Sequence, residues 1–346
     1  MKYRLLGRTG LYVSQICLGT MTYGGRGFWQ SIGDLQIDAV KDQLAAARAA
    51  GVNFIDTANV YHEGLSESLV GEALRAIGWA RHEVVLATKV RGRMGPGPNE
   101  TGLSRSHIMH QVDESLRRLK TDYIDLYQIH GRDELTPLDE TLRALDDLVR
   151  AGKVRYLGVS NHAAWQMMKA LGISEARGWS RFESIQAYYS IAGRDLEREV
   201  VPFAREEHLG ILAWSPLAGG LLSGKYKAEG AGPEGARRTS FDFPPVDRPR
   251  AFACLDVLGA IAAERGCSVA RVALAWTLQQ PGITSIIIGA RTQAQLDDNL
   301  AAVDLTLTAD ERTRLEAVSA LPPEYPGWML GFQGRDRAEQ KATLEG

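Results

Sequence analysis

The feature that most limits what this chain can fold into is an alternation. Between residues 16 and 302, short apolar runs and amphipathic stretches follow one another in strict order. Runs with strand character fall at Ile16-Cys17-Leu18 and near 54–56, 84–88, 123–129, 154–159, 184–187, 210–214 and 285–288. Stretches with helical spacing fall near 36–50, 66–77, 104–120, 138–151, 162–171, 195–208, 252–280 (interrupted) and 292–302. In the first of these, Ile37, Val40, Leu44 and Ala47 share one face and Gly51 stops the helix. Repeated strand–helix–strand units require parallel pairing, and eight of them favour closure into a (β/α)8 TIM barrel, which takes ~250 residues. An open doubly wound sheet is the alternative. Residues 3–18 alternate around Gly7-Arg8-Thr9-Gly10, the pattern of an N-terminal β-hairpin. No break in composition divides the chain, so a single α/β domain is expected over 1–346, with a C-terminal tail over the active-site face. Gly230-Ala231-Gly232-Pro233-Glu234-Gly235 and the proline-rich stretch from Phe243 to Pro249 read as one long loop within it.

Composition narrows the partners. The chain is 45% hydrophobic and 24% charged, enough apolar material for a large core, and its net charge of -2 is spread with mixed signs. Without a basic stripe, nucleic acid and anionic membrane are poor principal partners, and a small molecule is expected. Cys17, Cys254 and Cys267 have neither metal-like spacing nor the even count of a disulfide framework. The N-terminus lacks a signal-peptide core, and no apolar run is long enough to cross a bilayer, so the expected location is cytoplasmic. Self-association into a homo-oligomer stays open.

In a barrel of this type the chemistry lies where strands end. The runs finish at Asp56, Lys89, His130, Ser160-Asn161, Gln186, Trp214-Ser215 and Gly289-Ala290-Arg291, with Tyr61 five residues beyond Asp56. Taken singly, Asp56 reads as a helix cap, Lys89 as a solvated strand end and His130 as a satisfied core histidine. Together on adjacent strand ends they form an acid–base group, in which an ammonium held by a carboxylate is expected to lower the phenol's pKa.

The residues also carry a family resemblance. Asn53-Phe54-Ile55-Asp56-Thr57-Ala58-Asn59-Val60-Tyr61, Ser66-Glu67-Ser68-Leu69-Val70-Gly71-Glu72-Ala73-Leu74, Ala87-Thr88-Lys89, Asp122 to His130 and Gly152 to Asn161 resemble the signature segments of the aldo-keto reductases. The similarity spans roughly 3–320 and is closest in character to the branch containing potassium-channel β-subunits and their bacterial relatives. It implies a barrel that uses NADP(H) without a Rossmann domain, with Asp56, Tyr61, Lys89 and His130 as the catalytic tetrad. It implies that Ser160, Asn161 and Gln186 hold the nicotinamide carboxamide and that the ring stacks on Trp214. Gly19, Thr20 and Met21 would touch the cofactor, as would Ser215, Pro216, Leu217 and Gly219. Tyr23, with Tyr61 and His130, would face a carbonyl or alcohol substrate.

Two loops bear on phosphate. Gly219-Gly220-Leu221-Leu222-Ser223-Gly224-Lys225-Tyr226 nearly fits a P-loop, but Tyr226 stands where Ser or Thr is required. Its glycines, Ser223 and Lys225 remain suited to a pyrophosphate. Gly289-Ala290-Arg291-Thr292 opens a helix carrying Gln295, Asp298 and Asn299, and by resemblance Arg291 would hold the adenosine 2′-phosphate with those three around the adenosine. Tyr23, Phe28 and Trp29, and in the tail Tyr325, Trp328 and Phe332, are candidates for an aromatic substrate wall. The expected activity is NADPH-dependent interconversion of an aldehyde or ketone with its alcohol. The rival readings are a slow-turnover regulatory subunit and a secondary-alcohol dehydrogenase.

Overall fold

The structure, a computed structural model, describes residues 1–227, 232 and 234–345, so the loop expected at 230–235 lies partly outside the described residues. A two-stranded antiparallel hairpin, β1 (Tyr3–Leu5) and β2 (Tyr12–Ser14), precedes a closed barrel of eight parallel strands. These are β3 (Ile16–Gly19), β4 (Phe54–Asp56), β5 (Val85–Val90), β6 (Ile124–Ile129), β7 (Val154–Ser160), β8 (Phe182–Tyr188), β9 (Gly210–Trp214) and β10 (Ile283–Ile288), which closes back onto β3. Around them run α1 (Ile37–Ala49), α2 (Leu65–Ala76), α3 (Arg105–Leu119), α4 (Leu138–Arg150), α5 (Ala164–Arg177) and α6 (Val200–Glu206). The short α7 (Arg237–Ser240), then α8 (Arg248–Arg265), α9 (Val269–Leu278), α10 (Gln293–Leu300), α11 (Ala309–Ser319) and α12 (Gly327–Glu345) complete the chain.

The period of two along a strand sorts each run into an inward and an outward set. Inward, Cys17, Phe54, Val85, Ala87, Leu126 and Leu212 form one apolar cluster, which Leu6 and Val13 of the hairpin join from below. Outward, Ile16, Leu18, Ile55, Leu86 and Val159 join the helices in a second, larger cluster. The same inward parity continued to the strand ends gives Asp56 after Phe54, Lys89 after Ala87, Gln128 and His130 after Leu126, and Trp214 after Leu212. The register sets Lys89 beside Gln128 and Ser160 beside Gln186. A polar ring therefore sits on an apolar barrel floor.

Two elements differ from the sequence expectation, and the expected interruption at 252–280 takes a definite form. The helix expected at 195–208 is a single turn at Asp195–Glu197 followed by α6. The interrupted segment at 252–280 is two helices, because Gly266 ends α8 in a left-handed conformation (φ 61°) and Ser268 caps α9 by accepting from the Arg271 N–H at 3.0 Å. The tail does not cover the active-site cavity: Tyr325, Trp328 and Phe332 are 51–72% exposed and none of them lines it.

Candidate active site

A cavity of about 450 Å³ opens among the C-terminal strand ends. At its base Asp56 and Lys89 form a buried ion pair, 2% and 0% exposed, and the Lys89 ammonium also donates to the Thr57 carbonyl at 2.8 Å. Its third near neighbour is the Tyr61 hydroxyl at 3.4 Å, so the three hydrogens of the ammonium point at a carboxylate, a carbonyl and a phenol. The second oxygen of Asp56 accepts from Gln128 Nε2 at 3.0 Å and from Gln186 Nε2 at 2.8 Å, while Gln186 also donates to Gln128 Oε1 at 3.2 Å. An ionised carboxylate oxygen only accepts, so both amides must present N–H to it, and the oxygen of Gln186 is turned away. These donors offset the cost of burying the charge. The His130 ring lies edge to face with Tyr61, centroids 5.7 Å apart, and its backbone carbonyl accepts from Asn161 Nδ2 at 3.1 Å.

Burial governs the protonation of this group. The Tyr61 phenol is pushed above its ordinary value of 10.0 by burial; Lys89 opposes this and Asp56 adds to it. That corrects the sequence expectation of a lowered phenol pKa, because loss of water outweighs one nearby ammonium that is itself neutralised by Asp56. Burial also works against the Lys89 charge, but Asp56 and Tyr61 outweigh it and hold the ammonium above 10.5. His130 is driven well below 6.5 by burial, with Lys89 and Arg91 adding repulsion, so its imidazole is neutral at pH 7. The resting site thus holds a protonated phenol, a charged lysine and a neutral histidine.

One wall carries polar groups. Ser160, Asn161 and Gln186 line it, and the Ser160 hydroxyl is buried without a hydrogen-bond partner. Trp214 Nε1 donates to Asn161 Oδ1 at 3.0 Å, which fixes the indole plane. Ser215, Pro216, Leu217 and Gly219, after β9, adjoin that wall, and Gly19, Thr20 and Met21, at the end of β3, line the cavity from the opposite side of the barrel. The turn after β9 needs its glycines: Gly219 and Gly220 have φ of 67° and 91°, and Ser215 Oγ accepts from the Gly219 N–H at 2.8 Å.

Three cations, Lys225, Arg237 and Arg291, also line the cavity, and among the described lining residues the one carboxylate is Asp56, already paired. Arg291 is largely spent on protein: it donates to the Ile32 carbonyl (2.9 and 3.1 Å), the Ser31 carbonyl (3.0 Å) and the Gly235 carbonyl (3.1 Å). Arg237, which the sequence reading missed, has a buried Nε without a hydrogen-bond partner. Its guanidinium is lowered to about 10 by burial and by repulsion from Arg291 and Arg238. Lys225 is lowered by burial and by Arg291. Adjacent Arg238 plays a different part, holding the Ala218 and Pro244 carbonyls and Asp242. In sequence the two arginines are indistinguishable.

The mouth is aromatic. Phe28 and Trp29 come from the loop before α1, and Phe241 and Phe243 from the segment after α7; the latter two gave no signal in the sequence beyond being aromatic residues in a long loop. His62 anchors the first loop: its Nδ1 accepts from the Gly25 and Arg26 N–H groups at 2.8 and 3.1 Å, so its Nε2 carries the proton given to the Met21 carbonyl at 3.0 Å. Gly24 has φ 143°, and a Cβ there would meet the His62 ring at 2.4 Å.

Three expected site residues lie elsewhere. Tyr23 is fully buried and donates to Gln43 Oε1 at 3.1 Å, because its side chain turns onto α1 and away from the cavity. Ser223 donates to the Gly220 carbonyl at 2.7 Å and closes its own turn. Asp298 ties α10 to the start of α9, accepting from Ser268 Oγ at 2.5 Å and Arg271 at 2.8 Å, whereas Gly289, Gln295 and Asn299 do line the cavity.

Comparison with known proteins gives a consistent family. A model of the aldo/keto reductase family matches residues 15–320. The chain is 40% identical to an uncharacterized oxidoreductase, YrpG, of Bacillus subtilis, over 95% of this chain and 100% of the relative. It is 34% identical to a probable voltage-gated potassium channel subunit beta of Arabidopsis thaliana, covering 94% and 99% of the two chains. It is 35% identical to versiconal hemiacetal acetate reductase of Aspergillus parasiticus, again covering 94% and 99%.

Proposed function

The chain belongs to the aldo/keto reductase family of oxidoreductases, and from that premise we propose that it reduces an aldehyde or ketone to its alcohol with NADPH, Tyr61 serving as the proton donor. The observation that carries this reading is one cavity with a lysine-supported phenol at its base and three cations, Lys225, Arg237 and Arg291, in its lining. NADPH, when bound, supplies the hydride. Everything else falls to the chain.

The residues present fit that cofactor. The unpartnered Ser160 hydroxyl and the outward oxygen of Gln186 suit a carboxamide, which offers both an acceptor and donors. Arg237 and Lys225, in no ion pair among the described residues, suit phosphate, and an anion between them would offset the burial and the repulsion from Arg291 that depress both. Arg291 stays a candidate for the 2′-phosphate only through whatever donor its carbonyl contacts leave free.

At the base, Tyr61 hydrogen-bonds the substrate oxygen and gives up its proton as negative charge develops there. The phenolate that remains lies 3.4 Å from the Lys89 ammonium, which Asp56 and the Thr57 carbonyl hold in place. His130, neutral, orients and polarises the same oxygen. With a His at this position rather than an acid, the reading is carbonyl reduction and not reduction of a carbon–carbon double bond.

Similarity to the Arabidopsis channel β-subunit favours a second reading, a cofactor-binding regulatory subunit with slow turnover. Among the described residues, no helix is long and apolar enough to cross a membrane. The test common to both is NADPH oxidation, and NADP+ reduction, across a panel of aldehydes, ketones, enones and alcohols. Turnover of aldehydes or ketones with alcohol products supports the first reading, and tight NADPH binding with no turnover supports the second. A saturated ketone as the main product from an enone would overturn the role given to His130.

A further inference from the structure

The reaction proposed above gives tasks to Asp56, Tyr61, Lys89 and His130, and to Gln186 toward the cofactor. It gives none to Gln128. This residue of β6 is 0% exposed and does not line the cavity, so any part it takes in the reaction passes through its neighbours. An amide buried above the apolar layer of Phe54, Ala87 and Leu126 is costly unless its groups are paired. The barrel makes room for it nonetheless. A Cβ on Gly158, its register neighbour on β7, would meet Gln128 Cγ at 2.9 Å. The amide closes a ring of three polar groups. Its Nε2 donates to Asp56 Oδ2 at 3.0 Å, Gln186 Nε2 donates to the same oxygen at 2.8 Å, and Gln128 Oε1 accepts from Gln186 Nε2 at 3.2 Å. Both N–H groups of Gln186 are thereby taken, which leaves its oxygen facing outward. The other oxygen of Asp56 belongs to Lys89.

Resting on the carbonyl-reductase reading, we propose that Gln128 is a positioning residue: it keeps the buried Asp56–Lys89 pair ionic and so governs proton transfer at Tyr61. A buried ammonium and carboxylate can lose their charges by passing one proton from the nitrogen to the oxygen, and hydrogen bonds to the carboxylate oppose that transfer. The two amides on Asp56 Oδ2 supply them. Lys89 acts on the Tyr61 phenol more strongly than Asp56 does, so the ionic pair as a whole favours the phenolate. Without the Gln128 N–H, either the proton passes to Asp56 and the ammonium is lost, or the carboxylate keeps its charge with one donor fewer and opposes the phenolate more. Both changes raise the pH at which Tyr61 gives up its proton. The other titratable groups near by are Arg237, which favours the phenolate, and His130 and Cys17. His130 is neutral, and burial holds the Cys17 thiol well above 9.0, so neither adds charge near neutral pH.

Two readouts follow Tyr61. The pH profile of kcat for alcohol oxidation under saturating NADP+ reports formation of the phenolate base, and NMR of tyrosines labelled with carbon-13 at Cζ follows the phenol in the free protein, Tyr61→Phe identifying its signal. Gln128→Met keeps the side chain's length and removes the amide. It is expected to move both titrations upward by about one pH unit, tenfold in proton affinity. NADPH binding should stay near wild type, because Asp56 still accepts from Gln186 and holds it. Gly158→Ala keeps the amide but pushes it off Asp56, so it should move both titrations the same way, and it carries the test where Gln128→Met does not fold. Titrations that stay in place or move downward, whatever happens to kcat, overturn the role given to Gln128 and leave the carbonyl-reductase reading intact. No turnover of any carbonyl or alcohol by the wild type overturns that reading, and the NMR titration, which needs no substrate, then still decides whether Gln128 governs the phenol.

Discussion

At the scale of single residues, the competition between lost water and nearby charge sets the chemistry. Tyr61 stays protonated because burial outweighs Lys89, and this suits a donor that must hold its proton until charge appears on the substrate. Tyr61→Phe removes the proton and little else, so carbonyl reduction should fall ~10²–10⁴-fold while NADPH affinity, read by fluorescence titration, stays within about twofold. Turnover within tenfold of wild type would show that another group is the acid. Arg237 carries the matching prediction for cofactor binding. A guanidinium with an unpartnered Nε in a cationic pocket can gain a charge-assisted hydrogen bond, so Arg237→Ala should weaken NADPH by about 1.5–3 kcal/mol. Unchanged affinity in the same titration would remove Arg237 from the cofactor site.

At the scale of elements, Arg291 joins segments that are remote in sequence. Its guanidinium, at the start of α10, binds carbonyls of residues 31, 32 and 235, and Phe28 meets Phe241 across the same gap. The loop before α1 and the segment around α7 are thereby clasped over the cavity. Arg291→Ala should loosen both. Losing hydrogen bonds from a charged donor, at about 1.5–3 kcal/mol, corresponds to amide exchange roughly 10- to 100-fold faster at residues 26–33 and 235–243. Hydrogen exchange followed by mass spectrometry is the measurement, and unaltered rates in those two segments would mean the clasp carries no weight. The sequence alone pointed to a phosphate contact for this arginine, because a cation at a helix start is indistinguishable there from a cation turned onto carbonyls.

At the scale of the whole molecule, buried and half-buried histidines tie stability to pH. His62, His107, His130 and His162 all have pKa values lowered from 6.5, in each case first by burial. Below 6.5 the unfolded chain takes up protons that the folded chain refuses, so protonation favours unfolding and stability falls as pH drops; above 6.5 both states are neutral at these sites and the contribution is flat. The urea midpoint should therefore be lower at pH 5.5 than at pH 7.5. Equal midpoints would mean that these imidazoles titrate in the folded protein as they do in water. Protonating His62 has a local effect as well, since a charged ring cannot accept from the Gly25 and Arg26 N–H groups that hold the aromatic loop.

The sequence by itself determined most of the elements and the strand-end positions of Asp56, Lys89 and His130. Strand runs and helix faces are local periodicities, and Asp56, Lys89 and His130 are visible because each ends an apolar run whose inward parity continues to it. Only the tertiary structure decided contacts between residues far apart in the chain. Gln128 became an Asp56 partner through the pairing of β6 within a closed barrel, Arg237 settled over the Phe241 ring while Arg238 took the Ala218 and Pro244 carbonyls, and Tyr23 turned to Gln43. Asp298 went to α9 instead of the cavity for the same reason. Periodicity fixes which face a side chain takes, whereas its partner depends on what the rest of the chain brings to that face.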